Sequence, residues 1–188
     1  TYCVIISHQL NLQSKNPILY FFLNTVNRFF LNRVDLCWVP DYPDRRLSGK
    51  LSDPKFIKKV KYIGSLSSLK KYEAKKIYDI GIVLSGPEPA RTEWEKVLIK
   101  KYSQADMNIA FIRGTDSLKP IPEIKSWTVF NLATRAEVNQ VLLQSHKIIS
   151  RSGYTSIMDY DKLSLTAELV ATQGQSEQEY LAELHKEV

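Results

Sequence analysis

Apolar residues along this chain fall into short blocks cut by polar stretches, and the spacing inside each block predicts its structure. Cys3-Val4-Ile5-Ile6 sits in an apolar, partly β-branched run ended by a polar turn, which predicts a buried strand over 2–7. Pro17 stands where a helix begins, and Leu19, Phe22, Leu23, Val26, Phe29 and Phe30 follow at helical spacing. Phe21, Phe22, Phe29 and Phe30 are expected in the core, with a peripheral membrane contact beside Arg28 and Arg33 as the alternative. A second apolar run covers 36–39 and stops at Pro40-Asp41-Tyr42-Pro43. Residues 41–59 read as a loop. A strand over 60–64 then leads into Ser65-Leu66-Ser67-Ser68, a linker by composition.

From residue 77 onward strand and helix patterns alternate. Strands are expected over 80–84, 107–112, 127–131, 147–150 and 165–171, and helices over 91–102, 137–144, 154–160 and 177–186. Such alternation predicts an α/β fold: a Rossmann-like parallel sheet with helices on both faces. The chain therefore divides into a first part, 1–67, and a second, 68–188.

Composition supports a globular chain, with 44% hydrophobic and 24% charged residues. The net charge of +6 favours anionic partners. Lysines cluster at Lys55, Lys58, Lys59 and Lys61 and again at Lys70, Lys71, Lys75 and Lys76. With no nucleic-acid motif around them they read as a solvated face, and no nucleic-acid partner is expected. Cys3 and Cys37 lie in apolar runs without metal-ligand spacing, so two buried thiols are expected, as suits a cytoplasmic protein. No run approaches the length of a membrane span. The chain opens at Thr1 inside an apolar run with neither an initiator Met nor a leader pattern, which predicts a piece of a longer protein.

In open parallel sheets, ligands sit beyond the carboxyl ends of the strands. Three loops there carry polar, glycine-bearing sequences. In the first, Ser85-Gly86-Pro87-Glu88-Pro89-Ala90-Arg91, glycine permits close backbone approach and a helix start follows. Read alone it is also a tight turn before a proline-started helix. The second runs Arg151-Ser152-Gly153-Tyr154-Thr155 into a helix, with Asp159 one turn further on. Its amides suit a diphosphate and its carboxylate a ribose diol, although a plain glycine connection fits as well. The third, at 171–182, offers Gln175, Glu177 and Gln178, whose groups suit sugar hydroxyls, with Ser176 as the expected N-cap. Neither G-x-G-x-x-G nor G-K-[ST] is present. Of the histidines, His185 is expected near a helix C-terminus and His146 as a helix cap before a strand. His8, just after the first strand in Ser7-His8-Gln9, is placed to face a cleft and is the candidate general base.

Together the R-S-G-x-T run at 151–155, the G-Q-x-E-Q-E-Y-L-A run at 174–182 and the S-G-P-E-P run at 85–89 resemble family 28 glycosyltransferases over nearly the whole chain. The resemblance implies a GT-B arrangement of two Rossmann-like domains. Residues 1–67 would be the end of the acceptor-side domain plus the crossover, and 68–188 the donor-binding domain. It implies a nucleotide-diphospho-sugar donor, UDP-linked by analogy, and inverting transfer without a metal or other cofactor. The acceptor would be a glycan or a lipid-linked sugar, met at the inner face of the membrane through the N-terminal domain. Arg151, Ser152, Gly153, Tyr154 and Thr155 would hold the diphosphate, Asp159 the ribose, and Gly86 and Glu88 the phosphate border. Asn131 and Thr134 would flank the base, and Gln175, Glu177 and Gln178 would face the sugar. The family places an arginine in the crossover where this chain has Ser68; Lys70 or Arg91 would have to substitute. A sugar-nucleotide epimerase or hydrolase on the same fold, or a non-catalytic nucleotide- or partner-binding module, are the competing readings.

Overall fold

The computed structural model describes residues 1–116 and 124–186. In the first part, strands β1 (Val4–Ile6), β2 (Leu36–Val39) and β3 (Val60–Tyr62) form a parallel sheet in the order β1-β2-β3. Helix α1 (Pro17–Leu31) connects β1 to β2, with Asn16 accepting from the Ile18 and Leu19 amides as its N-cap. Leu10, Leu31, Cys37, Val39 and Ile57 make the core of this unit. The 41–59 stretch holds one 3-10 turn, Gly49–Ser52. Buried Asp41 organises it by accepting from the amides of Tyr42, Leu47 and Ser48 and from the Ser48 hydroxyl.

Helix α1 corrects the sequence reading. Phe21 is 74% exposed, and Phe22, Phe29 and Phe30 are also exposed rather than in the core. The helix docks instead through Leu31 at its end and a polar stripe at i, i+3, i+4. Asn24 bonds both backbone groups of Leu12, Asn27 donates to the carbonyls of Gln9 and Leu10, and Arg28 donates to Asn11. The loop after β1 carries unpaired backbone groups that must be satisfied, and this polar face meets them. Cys3, expected buried, is exposed, while Cys37 is buried.

The second part has the expected architecture. Strands β4 (Tyr78–Val83), β5 (Ile109–Ile112), β6 (Trp127–Phe130), β7 (Ser145–Arg151) and β8 (Glu168–Val170) form an all-parallel sheet in the order β6-β5-β4-β7-β8. Helices α2 (Ala90–Tyr102), α3 (Arg135–Gln144), α4 (Tyr154–Leu163) and α5 (Ser176–Leu184) connect or follow the strands. Both sheet faces are covered, because strand residues alternate between them. Ile80, Ile82, Ile109, Phe111 and Ile149 pack under Trp94, Leu98 and Tyr102 of α2. Ala110 and Ile112 pack under Val141 of α3, and Ile148 under Leu142 of α3 with Tyr160 and Leu163 of α4. Two local expectations are corrected. His146 lies inside β7, with Ser145 closing α3; Gln175, not Ser176, is the N-cap of α5.

Between the sheets, residues 64–77 contain neither helix nor strand. The Asn139 side chain pins this crossover to α3, accepting from the Lys70 amide at 2.8 Å and donating to the Lys70 carbonyl at 3.1 Å. The two units share an apolar seam in which Leu47 and Leu51 pack on Tyr154, Ile157, Met158 and Leu181. Burying each leucine there contributes about 1.5–3 kcal/mol. The Tyr154 hydroxyl donates to the Pro40 carbonyl at 2.7 Å, and His185 donates to the Leu47 carbonyl at 2.8 Å. Among the described residues no helix is long and apolar enough to cross a membrane.

Candidate functional site

The strand order reverses at β4. The chain steps outward from β4 to β5 and β6, then returns to the other side of β4 for β7 and β8. Such a reversal opens a crevice beyond the carboxyl ends of the two central strands. Val83 and Ser150 pair at the ends of β4 and β7, so the Gly86 and Gly153 loops leave the sheet side by side.

The two helix starts at this crevice differ. At α2, the Glu88 carboxylate accepts from the Thr92 amide and from Arg91, and so answers the helix end from within. Hydrogen bonding from Thr92 and then Arg91 holds the Glu88 carboxyl below the usual carboxylate range. Arg91 is buried between Glu88, Glu95 and the Arg113 carbonyl. It belongs to an internal network, and its guanidinium is not placed as a substitute phosphate clamp. At α4, Gly153 is the N-cap and no side chain caps the first turn. The leading amides of a helix have no intrahelical partner, and the dipole adds positive potential there. No atom lies within 4 Å of where a Cβ on Gly153 or Gly86 would stand, so both backbones face open space. Gly86 has φ +103°, a conformation that favours glycine. Thr155 is exposed at the same helix start.

The flanking residues of this second loop are built into the scaffold. Arg151 is buried, with its guanidinium 4.1 Å from the Trp94 ring centroid, and donates to the Ala171 and Ala90 carbonyls at 2.7 and 3.4 Å. Burial lowers its pKa. Arg151 thus ties the end of β7 to the loop after β8 and the start of α2. Ser152 is fully buried and donates to the Gln178 carbonyl, and the Gln178 side chain accepts from the Thr172 amide. The second and third loops are therefore held as one wall. Of that wall, Gln175 and Glu177 are partly exposed.

Asp159 is 5% exposed and its carboxylate is already engaged. Arg135 donates to both of its oxygens at 2.9 and 3.0 Å, and the Ser67 hydroxyl donates at 2.5 Å. Arg135 also donates to Ser68 of the crossover. Asn131 accepts from Arg113 at 2.9 Å, and Thr134 caps α3 in a reciprocal pair with Glu137.

His8 is brought onto this wall from the first sheet. Its ring stacks on Tyr154 at 3.8 Å between centroids, and its Nε2 donates to Glu177 Oε1 at 2.9 Å. Gln9 donates to the other Glu177 oxygen. With Nε2 bonded to a carboxylate, Nδ1 is the ring nitrogen left without a hydrogen-bond partner among the described residues.

The structure thus gathers His8, Gly86, Gly153, Tyr154, Thr155, Gln175 and Glu177 at the carboxyl ends of β1, β4, β7 and β8. Arg91, Arg151, Ser152, Gln178 and Asp159 stand behind them, fixed in internal bonds. The sequence reading missed Gln9, Arg135 and Ser67. Gln9 adjoins His8 in the same loop, which was a usable signal. Nothing in the sequence points to Arg135 and Ser67 meeting Asp159. No protein-family model and no curated protein matches the chain.

Proposed function

We propose that this chain is the donor-binding half of a glycosyltransferase, with the end of its acceptor-side domain attached, and that it takes a nucleotide-diphospho-sugar. The observation that carries this reading is the uncapped start of α4 opening beside Gly86 at the strand-order reversal, with His8 and Glu177 at its mouth. The α4 amides would bind the diphosphate and stabilise it as the leaving group, in the place a metal ion holds in other transferases. Gln175 and Glu177 would meet the sugar hydroxyls. His8, oriented by Glu177, would accept the proton of the attacking acceptor hydroxyl. UDP is the nucleotide that the resemblance to family 28 suggests, and a lipid-linked or glycan acceptor would approach from the side of the first sheet.

Calorimetry of the chain with UDP, GDP and TDP tests the reading, together with a Gly153→Glu variant that sets a carboxylate against the α4 amides. The expected result is UDP binding that falls at least tenfold in the variant, with unchanged circular dichroism. Failure of all three nucleotides to bind, or equal binding by the variant, overturns it.

The His8–Glu177 pair also favours a second reading, in which the same base activates water to hydrolyse the sugar nucleotide, or takes a proton from a sugar carbon that is returned on the opposite face to epimerise it. Product analysis decides: a new glycosidic bond supports transfer, while free sugar or an inverted sugar nucleotide supports the alternative.

A further inference from the structure

A second cavity, of about 530 Å³, lies on the acceptor side of the molecule between the loop after β1, the first turns of α1 and the 3-10 turn. Its wall includes Lys15, Arg28, Lys50 and Lys55, and one acid, Asp53. Two of these charges are balanced nearby: Lys15 pairs with Glu179 at 2.6 Å and Asp53 with Arg45 at 3.0 Å. That leaves Arg28, Lys50 and Lys55. Among the described residues no carboxylate oxygen lies within 4.0 Å of a side-chain nitrogen of any of the three, and Asp53, which lines the same wall, accepts from the Lys55 backbone amide at 3.1 Å.

Arg28 is the fixed member of the set. Its guanidinium lies on the Phe56 ring, 4.0 Å from the centroid, and one terminal nitrogen donates to Asn11 at 3.1 Å. Its Nε is buried with no hydrogen-bond partner. That nitrogen is shut off from the cavity, so a ligand there meets the terminal nitrogens of the flat, pre-set guanidinium. An oxyanion supplies acceptor oxygens for these nitrogens and countercharge for Arg28 and the two lysines.

We propose that this cavity is a phosphate-binding subsite, taking a phosphomonoester or phosphate headgroup between Arg28, Lys50 and Lys55. Three unbalanced cations match a phosphate dianion better than a single carboxylate. Tyr20 and Pro17 line the same wall and would pack against the apolar part of whatever carries the phosphate. The proposal does not depend on the donor crevice, which lies at the glycine loops of the second sheet.

Inorganic phosphate and glycerol 3-phosphate are titrated into the whole chain by calorimetry at low salt, using the parent, Lys50→Gln/Lys55→Gln and Gly153→Glu. Both lysines are exposed, so the double variant keeps the fold, which Arg28→Gln would put at risk. The expected result is binding by the parent and by Gly153→Glu, and at least a fivefold loss in the double lysine variant. Co-sedimentation with phosphatidic acid vesicles separates a headgroup from a soluble phosphate ester; either source supports the site when its binding depends on the two lysines. No binding of either phosphate compound at millimolar concentration, or equal binding by the lysine variant, overturns the proposal. Loss in Gly153→Glu with full retention in the lysine variant also overturns it, because it moves the phosphate to the donor crevice.

Discussion

His8 and Glu177, 169 positions apart in sequence, meet at 2.9 Å, and that contact joins the loop after the first strand to the first turn of the last helix. Glu177 serves His8 with one carboxylate oxygen and Gln9 with the other, so a single side chain from the second unit holds both residues of that loop.

Replacing Glu177 by alanine removes both bonds. The groups are partly exposed, which limits the loss to about 1 kcal/mol of stability, read from urea unfolding. The larger effect is expected on function. With His8 no longer oriented, turnover of a sugar nucleotide by a protein that carries both halves should fall at least tenfold, while UDP binding to this chain, which is expected to be inactive alone, changes little. A variant that keeps full turnover removes Glu177 from the base-orienting role.

Asp159 was legible in the sequence as a carboxylate one turn into a helix; its partners were not. The structure pairs it with Arg135 through both oxygens and with Ser67. Arg135→Ala should cost about 3–5 kcal/mol, because it leaves the buried Asp159 carboxylate with only the Ser67 hydroxyl. Asp159→Ala should cost less, because Arg135 is half exposed and can be solvated once its partner is gone. Equal and negligible losses in the two variants, measured by denaturant unfolding, would show that the pair contributes nothing to the fold.

The centre of the second sheet was readable because its inner strands are buried on both faces and so appear as continuous apolar runs such as Ile109–Ile112. The Gly86 and Gly153 loops were readable because glycine before a helix start is a local signal. The partners of the charged site residues were not readable. Arg91 and Arg151 look alike from sequence as cations beside a phosphate loop. Only the tertiary structure shows Arg91 tied to Glu88 and Glu95, and Arg151 laid on Trp94.

Glu88 offers a test in pH. Its folded carboxyl lies below its ordinary value, held first by the side-chain hydrogen bond of Thr92 and then by that of Arg91. A depressed carboxyl contributes stability that is fully present above the unfolded value, about 4.3, and is lost as pH falls through the folded value. In Thr92→Val, the Glu88 midpoint followed by carbon NMR should move up toward the ordinary value. The stability difference between parent and variant should be present at pH 6 and shrink below about pH 4. An unmoved Glu88 midpoint would show that the Thr92 hydroxyl does not act on it.

Helix α1 reverses the usual weighting of apolar and polar residues. Asn24 is 1% exposed, while Phe21 is 74% exposed. The Asn24 amide accepts from the Leu12 amide at 2.8 Å and donates to the Leu12 and Tyr20 carbonyls at 3.0 and 2.8 Å. Asn24→Ala strips the side-chain partners from the part-buried Leu12 N–H and carbonyl, at a cost of about 1–3 kcal/mol. Phe21→Ser removes a ring that touches water already, and its cost is confined to helix propensity, about 0.5 kcal/mol. Urea unfolding of the two variants therefore separates two accounts of the helix. If α1 docks through its polar stripe, the asparagine variant is the destabilised one. If the phenylalanine variant loses more, the aromatic face is what holds α1 to the first sheet, and the polar stripe is not its docking surface.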